Sequence, residues 1–292
     1  MNRIKGILYA AVSSSTFGLA PFFSITLLLA GFSAFEVLSY RWGVASIVLI
    51  VFGWLSGCNF RLAGKDWGVV FLLSLLRAVT SFSLIIAYQN IASGVASTIH
   101  FMYPLAVALA MMFFFREKKS LLVILAVLMS LLGAALLSLG ELEAKSGNTM
   151  VGLVAACVSV FSYAGYIVGV RTTRAVQINS TALTCYVMGL GTIFYLIGAY
   201  CTSGLQLVSD GYTWLIILGL ALPATAISNI TLVQAIKYAG PTLTSILGAM
   251  EPLTAVVIGV FVFEEFFTVN SAIGIILILI AVSLVIFRKP KN

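Results

Sequence analysis

The sequence predicts an all-α membrane protein of ten transmembrane helices, built as two inverted five-helix repeats (residues 1–147 and 148–292) with both termini cytoplasmic. Three observations carry this. The 292 residues are 61% hydrophobic and only 9% charged, with a mean hydropathy of +1.14, whereas soluble domains carry roughly 25% charged residues. Apolar runs close to the ~20 residues that cross a bilayer recur along the whole chain. The chain also repeats itself. Met102-Tyr103-Pro104-Leu105 returns as Met250-Glu251-Pro252-Leu253, and thirteen residues past each proline stands a glutamate, Glu117 and Glu265. The same offset of 148 pairs Ser97 with Ser245, Phe113 with Phe261, Phe115 with Phe263 and Ser120 with Thr268.

Lipid cannot hydrogen-bond a backbone, so spans this apolar are expected to be helices. They fall at 4–29, 34–56, 67–89, 95–115 and 120–139 in the first copy. In the second they fall at 150–170, 180–202, 213–236, 242–263 and 269–287. The first run, opening on Asn2, Arg3 and Lys5, has the outline of a signal peptide. Its polar Ser13-Ser14-Ser15-Thr16 interruption and its counterpart in the second copy (Gly6/Gly152, Ala10/Ala156, Ser13/Ser159) mark it as a retained helix. Pro104 and Pro252 each remove a backbone hydrogen bond from the fourth and ninth spans. Hinges are the favoured reading there, ahead of freed carbonyls that touch substrate. Ser120 and Thr268 stand where the fifth and tenth helices need N-caps, which makes Glu117 and Glu265 loop-ordering groups. Tyr40, Trp42, Trp54, Trp67 and Trp214 lie near span ends, as an interfacial aromatic belt requires. Small residues on the fifth and tenth helices pack either internally or between subunits, so monomer and homodimer are both open.

Charge distribution sets orientation. With the N-terminus in the cytoplasm, the inner segments hold Arg3, Lys5, Arg61, Lys65, Arg116, Lys118, Lys119, Arg171, Arg174, Lys237, Arg288, Lys289 and Lys291, which is 13 of the 16 basic residues. Outside stands only Lys145, with Arg41 and Arg77 inside spans. That bias obeys the positive-inside rule, and it accounts for the net charge of +7 without a nucleic-acid partner. Six of the nine acids (Glu36, Glu141, Glu143, Asp210, Glu264, Glu265) fall outside. The paired loops also differ in sign: Arg116, Lys118 and Lys119 flank Glu117, whereas Glu264, Phe266 and Phe267 flank Glu265. Opposite charge habits in equivalent loops are what inversion of one copy produces, and inverted repeats are the architecture of secondary transporters.

The inventory leaves little room for an enzyme. With one histidine, His100, no multi-histidine metal site is available. No GxSxG elbow occurs, and Gly64-Lys65-Asp66 lacks the first glycine of a phosphate loop. No cofactor is expected, and the partners are a small-molecule substrate and the lipid bilayer. Cys58, Cys157, Cys185 and Cys201 match neither a zinc nor a redox spacing and read as buried small hydrophobes.

Polar stripes inside the spans locate a candidate substrate site. Ser97, His100, Phe101, Pro104 and Ala108 share one face of the fourth span, and Ser245, Gly248, Ala249, Pro252 and Val256 are their partners in the ninth. The third span aligns Arg77, Thr80, Ser81, Leu84 and Tyr88; the eighth places Thr225, Ser228 and Asn229 at the positions of Arg77, Thr80 and Ser81. Ser159, Tyr163 and Tyr166 of the sixth span and Ser13 and Phe17 of the first supply walls. Single serines and threonines usually bond their own backbone or a neighbouring helix. An ionisable group in a span is a functional candidate by default. His100 reads equally as a substrate or proton site and as a packing residue. Arg41 lies within two turns of the outer end of its span, close enough to snorkel. Arg77 and Glu251 lie deeper and are expected to neutralise one another. The candidate substrate-binding residues are therefore Arg77, Ser81, Tyr88, Ser97, His100, Phe101, Tyr163, Asn229, Ser245, Gly248 and Glu251, with Pro104 and Pro252 as hinges.

Two five-span repeats, each with a proline in the fourth helix, then a glutamate, then a glycine-bearing last helix (Gly133, Gly274), resemble the EamA-type carriers of the drug/metabolite transporter superfamily. The second copy carries the pattern in Met250-Glu251-Pro252-Leu253, Phe263-Glu264-Glu265 and Ala272-Ile273-Gly274-Ile275-Ile276; Arg41-Trp42-Gly43-Val44-Ala45 is similar to the family's arginine–aromatic signature. The first copy departs where Tyr103 replaces the acid before proline. The resemblance implies a multi-pass carrier in the bacterial inner membrane with its cavity among helices three, four, eight and nine. It also implies export of small metabolites, most often amino acids. A cavity rich in Ser, Thr, Asn, His and Tyr suits a zwitterion. The alternative is efflux of amphipathic cationic drugs or dyes, with Glu251, Tyr88, Phe101 and Tyr163 as an acidic aromatic box.

Overall fold

The computed structural model describes residues 2–91, 93–117, 120–138, 147–202, 204–254, 257 and 268–286. Glu264, Glu265, Lys118, Lys119, Lys145, Glu141, Glu143, Val256, Phe261, Phe263, Phe266, Phe267 and the basic C-terminus lie outside them. All regular structure among the described residues is helical. Seven helical stretches are long and apolar enough to cross a membrane: Arg3–Leu29, Ala34–Leu55, Gly64–Asn90, Val95–Phe113, Thr149–Thr172, Ser180–Cys201 and Gly211–Ala239. They match the first four and the sixth to eighth expected spans. Two shorter apolar helices stand at the fifth and tenth positions, and the ninth is described from Pro241 to Thr254.

Several spans are broken where the sequence weakens them. The first divides into α1 (Asn2–Phe17) and α2 (Ala20–Leu29), with Pro21 in the first turn of α2. After α3 (Ala34–Leu55) and α4 (Trp67–Asn90), the fourth span divides into α5 (Ser93–His100) and α6 (Tyr103–Phe113). The break at Phe101-Met102 lies just before Pro104, whose ring displaces the carbonyl four residues back. The first copy ends with α7 (Leu121–Ser138), its fifth span, and the second opens with α8 (Thr149–Thr172) and α9 (Ser180–Cys201). Its eighth span is α10 (Gly211–Ala221), a π-helical segment Leu222–Ile227 and α11 (Ser228–Ala239). Then come α12 (Pro241–Leu247), a turn at Gly248-Ala249 just before Pro252, and α13 (Val269–Ile286). Helix starts are capped by polar side chains: Ser33 forms a capping box with Glu36, and Asn148, Asn179 and Asp210 accept from the first-turn amides of α8, α9 and α10.

The packing exchanges the two copies. α4 lies along α8, α1 along α11, α3 along α9 and α7 along α13. In span numbers these are 3 on 6, 1 on 8, 2 on 7 and 5 on 10, a set that maps onto itself when the copies are swapped. α3 and α9, the second helix of each copy, run antiparallel: Phe35 meets Gly198, Trp42 meets Gly191, and the Ser46 hydroxyl donates to the Cys185 carbonyl. A Cβ on Gly191 would stand 2.1 Å from the Trp42 ring, so this crossing needs glycine. Likewise the start of α1 meets the end of α11 through Gly6 and Ala239, and the start of α8 meets the end of α4 through Gly152 and Ile91. The small residues of the fifth and tenth helices pack internally, Gly133 against the Gly274 carbonyl.

One end of the molecule is knit by polar contacts within the second copy and between the two copies. Arg174 pairs with Asp66 at 2.8 Å, Arg171 donates to the Lys237 carbonyl at 2.9 Å, the Lys237 ammonium donates to the Ile178 carbonyl, and Tyr186 donates to the Phe60 carbonyl at 2.5 Å. The Thr242 hydroxyl donates to the Glu117 carboxylate at 2.6 Å, which ties Glu117 to the start of α12. Every described basic residue outside the spans sits at this end or next to it. The opposite end is joined through Gln206, whose amide donates to Glu36 at 2.7 Å, and through Asn148, whose amide donates to Asn90 at 3.0 Å. The cysteines depart from expectation: only Cys185 is buried, Cys58 is intermediate, and Cys157 and Cys201 are exposed on the apolar perimeter. Cys157 of α8 and Cys201 at the end of α9 are the exposed pair, and lipid accepts a thiol as readily as a core does.

Candidate functional site

Arg77 stands near the middle of α4 and is 1% exposed. A guanidinium cannot shed its charge in a dry interior, so it has to be partnered. Its Nε donates to Asn229 Oδ1 of α11 at 3.0 Å and its Nη1 to Ser81 at 3.4 Å. Aromatic faces surround it: Tyr163 at 4.9 Å, Phe17 at 5.3 Å and Tyr166 at 5.9 Å from the ring centroids. The expected neutralisation by Glu251 is not a direct pair. No ion pair joins Glu251 to Arg77 or Arg41 among the described residues, where Arg174 pairs with Asp66. Asn229 takes the contact because it lies across the copy interface at the same depth as Arg77.

Arg41 departs further from expectation. It does not snorkel; it is 4% exposed and turns inward, over the same Phe17 ring as Arg77 at 5.5 Å. Its Nε donates to Thr225 at 2.6 Å. Thr225 in turn donates to the Leu220 carbonyl at 2.8 Å, five residues back, and so belongs to the π-helical segment that Pro223 opens. The Arg41 Nη2 is buried without a hydrogen-bond partner among the described residues. Arg41, Arg77, Ser81 and Tyr88 line one narrow cavity with Phe17, Pro21, Ser24 and Thr80.

A second cluster adjoins the first through Tyr163. The His100 ring stacks on Tyr163 at 5.4 Å and lies 5.5 Å from Tyr103, and Tyr163 meets Tyr103 edge-on at 4.6 Å. His100 Nδ1 lies 2.8 Å from Ser159 Oγ. The Ser159 hydroxyl spends its one hydrogen on the Ala156 carbonyl at 2.6 Å, so His100 donates from Nδ1. Its Nε2 is then a bare acceptor, buried without a partner among the described residues. Phe101 packs edge-on against Tyr103. Gly248 lies under the Tyr103 hydroxyl, which would stand 1.8 Å from a Cβ there.

The remaining sequence-derived candidates divide. Tyr88 and Ser97 approach at 3.3 Å, at the edge of the cavity. Ser245 is buried but donates to the Thr242 carbonyl of its own helix at 2.9 Å, outside both clusters. Glu251 follows the turn at Gly248-Ala249, and its carbonyl faces Gly18 at the break between α1 and α2. The helix pairs are stitched by hydroxyls: Ser13 and Ser228 each donate to the other's carbonyl, at 2.8 and 3.0 Å, and Thr80 donates to Ser162 at 2.9 Å. Sequence reasoning left Arg41 and Tyr103 out of the candidate list, and Thr225 too, although it stood in the polar stripe of the eighth span. Pro223 two residues before Thr225 was the available signal for the π-helical segment. Among the described residues no group of three or more His, Cys, Asp or Glu side chains is placed to hold a metal.

Buried arginine at the join of two repeated helical units is a carrier-like arrangement, and a family model decides the matter. The model of the EamA-like transporter family matches the chain twice, over residues 4–139 and 150–287. The chain belongs to the EamA-like transporter family. It is thus a multi-pass membrane transporter of small molecules, from a family of transporters and not of enzymes. Its fold is similar to that of a solved structure titled only "Crystal structure of protein", with a TM-score of 0.78 at 17% identity over 97% of this chain and 96% of that one. No curated protein matches it.

Proposed function

We propose that this EamA-like transporter exports amino acids or closely related metabolites across the bacterial inner membrane by alternating access. The observation that carries the reading is the Arg77–Asn229 contact, which joins the two copies at mid-span beside a cavity. Carriers of inverted-repeat build bind substrate at that depth. The antiparallel packing of α3 on α9 supports inversion of the second copy, taken as 148–292, against the first, 1–147. The basic, polar-knit end is assigned to the cytoplasm by the positive-inside rule. Its contacts close that end, and the cavity residues Ser24, Arg41 and Tyr88 lie toward the other. Pro104 and Pro252, with the adjacent turns at Phe101-Met102 and Gly248-Ala249, are the hinges of the exchange. Substrate contacts are assigned to Arg77, Ser81, Tyr88, Ser97, His100, Phe101, Tyr163, Asn229, Gly248 and Glu251, with Ser245 in support.

The cation-efflux reading has weaker support. Its aromatic box has the Tyr163 face occupied by Arg77 at 4.9 Å and Phe101 turned onto Tyr103. Counterflow in proteoliposomes tests the choice. Vesicles preloaded with one amino acid or one quaternary-ammonium dye receive trace radiolabel of the same compound outside. Saturable accumulation with an amino acid and none with the dyes is expected. Accumulation with the dyes alone would replace amino-acid export by cation efflux.

A further inference from the structure

We propose that Arg41 and Arg77 form a carboxylate-binding subsite, in which the Arg41 Nη2 donates to the acid group of the transported solute. The inference rests on the carrier reading above and assigns its substrate class. Both guanidiniums lie over the Phe17 ring, at 5.5 and 5.3 Å, and both line the cavity. Two like charges share that ring, and neither forms an ion pair with a described residue. Arg77 is held by Asn229 and Ser81, and Arg41 by Thr225. Each side chain is thereby fixed from one copy onto the other, and the Arg41 Nη2 remains a buried donor with no partner among the described residues.

A planar guanidinium with a spare donor fits a carboxylate in shape and sign. The number of free donors selects among anions. One spare guanidinium donor, the Arg41 Nη2, suits a single carboxylate better than a phosphate dianion, which calls for several charge-assisted hydrogen bonds. A substrate cation would face both arginines with no acid placed between them. An amino acid meets the arginine pair with its carboxylate whatever its side chain, so the subsite sets the class while the aromatic cluster at Tyr163 and Tyr103 is left to discriminate side chains.

The test is thermal unfolding of the purified full-length protein titrated with amino acids, with their carboxamides, with short monocarboxylates and with chloride and inorganic phosphate at matched ionic strength. At least one carboxylate is expected to raise Tm, with its carboxamide weaker by roughly tenfold to a hundredfold, the range of a lost charge-assisted hydrogen bond. Arg41→Gln, which keeps a polar group for Thr225, is expected to lose the response by a similar factor. Equal response to acid and carboxamide, response to chloride or phosphate alone, or no response to any carboxylate would overturn the proposal. The comparison of acid with carboxamide is made on wild-type protein and does not depend on the variant folding. Counterflow separates this from the carrier reading. Binding without flux removes carrier action and keeps the subsite; flux confined to solutes without a carboxylate keeps the carrier and removes the subsite.

Discussion

Asn229 and Gly248 are the residues at which one substitution separates the proposed site from plain packing. Asn229→Ala removes the acceptor of a buried arginine N–H, and an unsatisfied buried group costs about 1–3 kcal/mol. Transport by this variant is expected to fall at least several-fold, with membrane insertion and yield unchanged; counterflow rate per mole of inserted protein measures it. His100→Ala is expected to do the same, because it opens the stack on Tyr163. Wild-type rates in both would remove these residues from the site. Gly248→Ala drives a methyl group into the Tyr103 hydroxyl and is expected to lower both transport and Tm. Tyr103→Phe in the same chain should restore part of the loss, since the closest of the clashing atoms is then gone. Arg77, Asn229 and His100 were legible in the sequence because mid-span polar groups at helical spacing are rare and costly. Arg41 was misread for a physical reason: depth along a helix is countable in sequence, but the face it turns inward is set by its neighbours.

At the scale of elements, pairs of helices are joined by hydroxyls. The reciprocal bonds of Ser13 and Ser228 join α1 to α11. A double-mutant cycle with Ser13→Ala and Ser228→Ala should return a coupling near the ~0.6 kcal/mol average for interhelical bonds in membranes, read from unfolding in mild detergent. Zero coupling would leave packing alone to hold that pair. The prolines of the fourth and ninth spans were readable as kinks, and the chain does turn just before each. The irregularity of the first and eighth spans was harder to read. These two helices pack on each other, whereas their counterparts α8 and α4 are continuous. Pro21 and Pro223 were visible, but the π-helical geometry depends on Thr225 bonding five residues back while it accepts from Arg41. That second partner comes from 184 residues away in the chain.

For the whole molecule, the inversion of one copy gives a prediction of sidedness. In a background free of native cysteine, Lys65→Cys and Leu207→Cys should react with a membrane-impermeant maleimide from opposite sides, Leu207→Cys from the outside of intact cells. Labelling of both from one side would overturn the inverted arrangement. The amino-acid sequence determined the class, the repeat and the family, because burial in lipid forces composition, hydrophobic run length and loop charge to be local quantities that a linear chain displays. Tertiary structure decided the rest. Arg77 rests on Asn229 and not on Glu251, Arg41 turns inward to share Phe17, and α3 runs against α9 through Gly191. A charge at low dielectric takes whichever partner the packing of distant helices brings within about 3 Å, and that distance is not a property of sequence spacing.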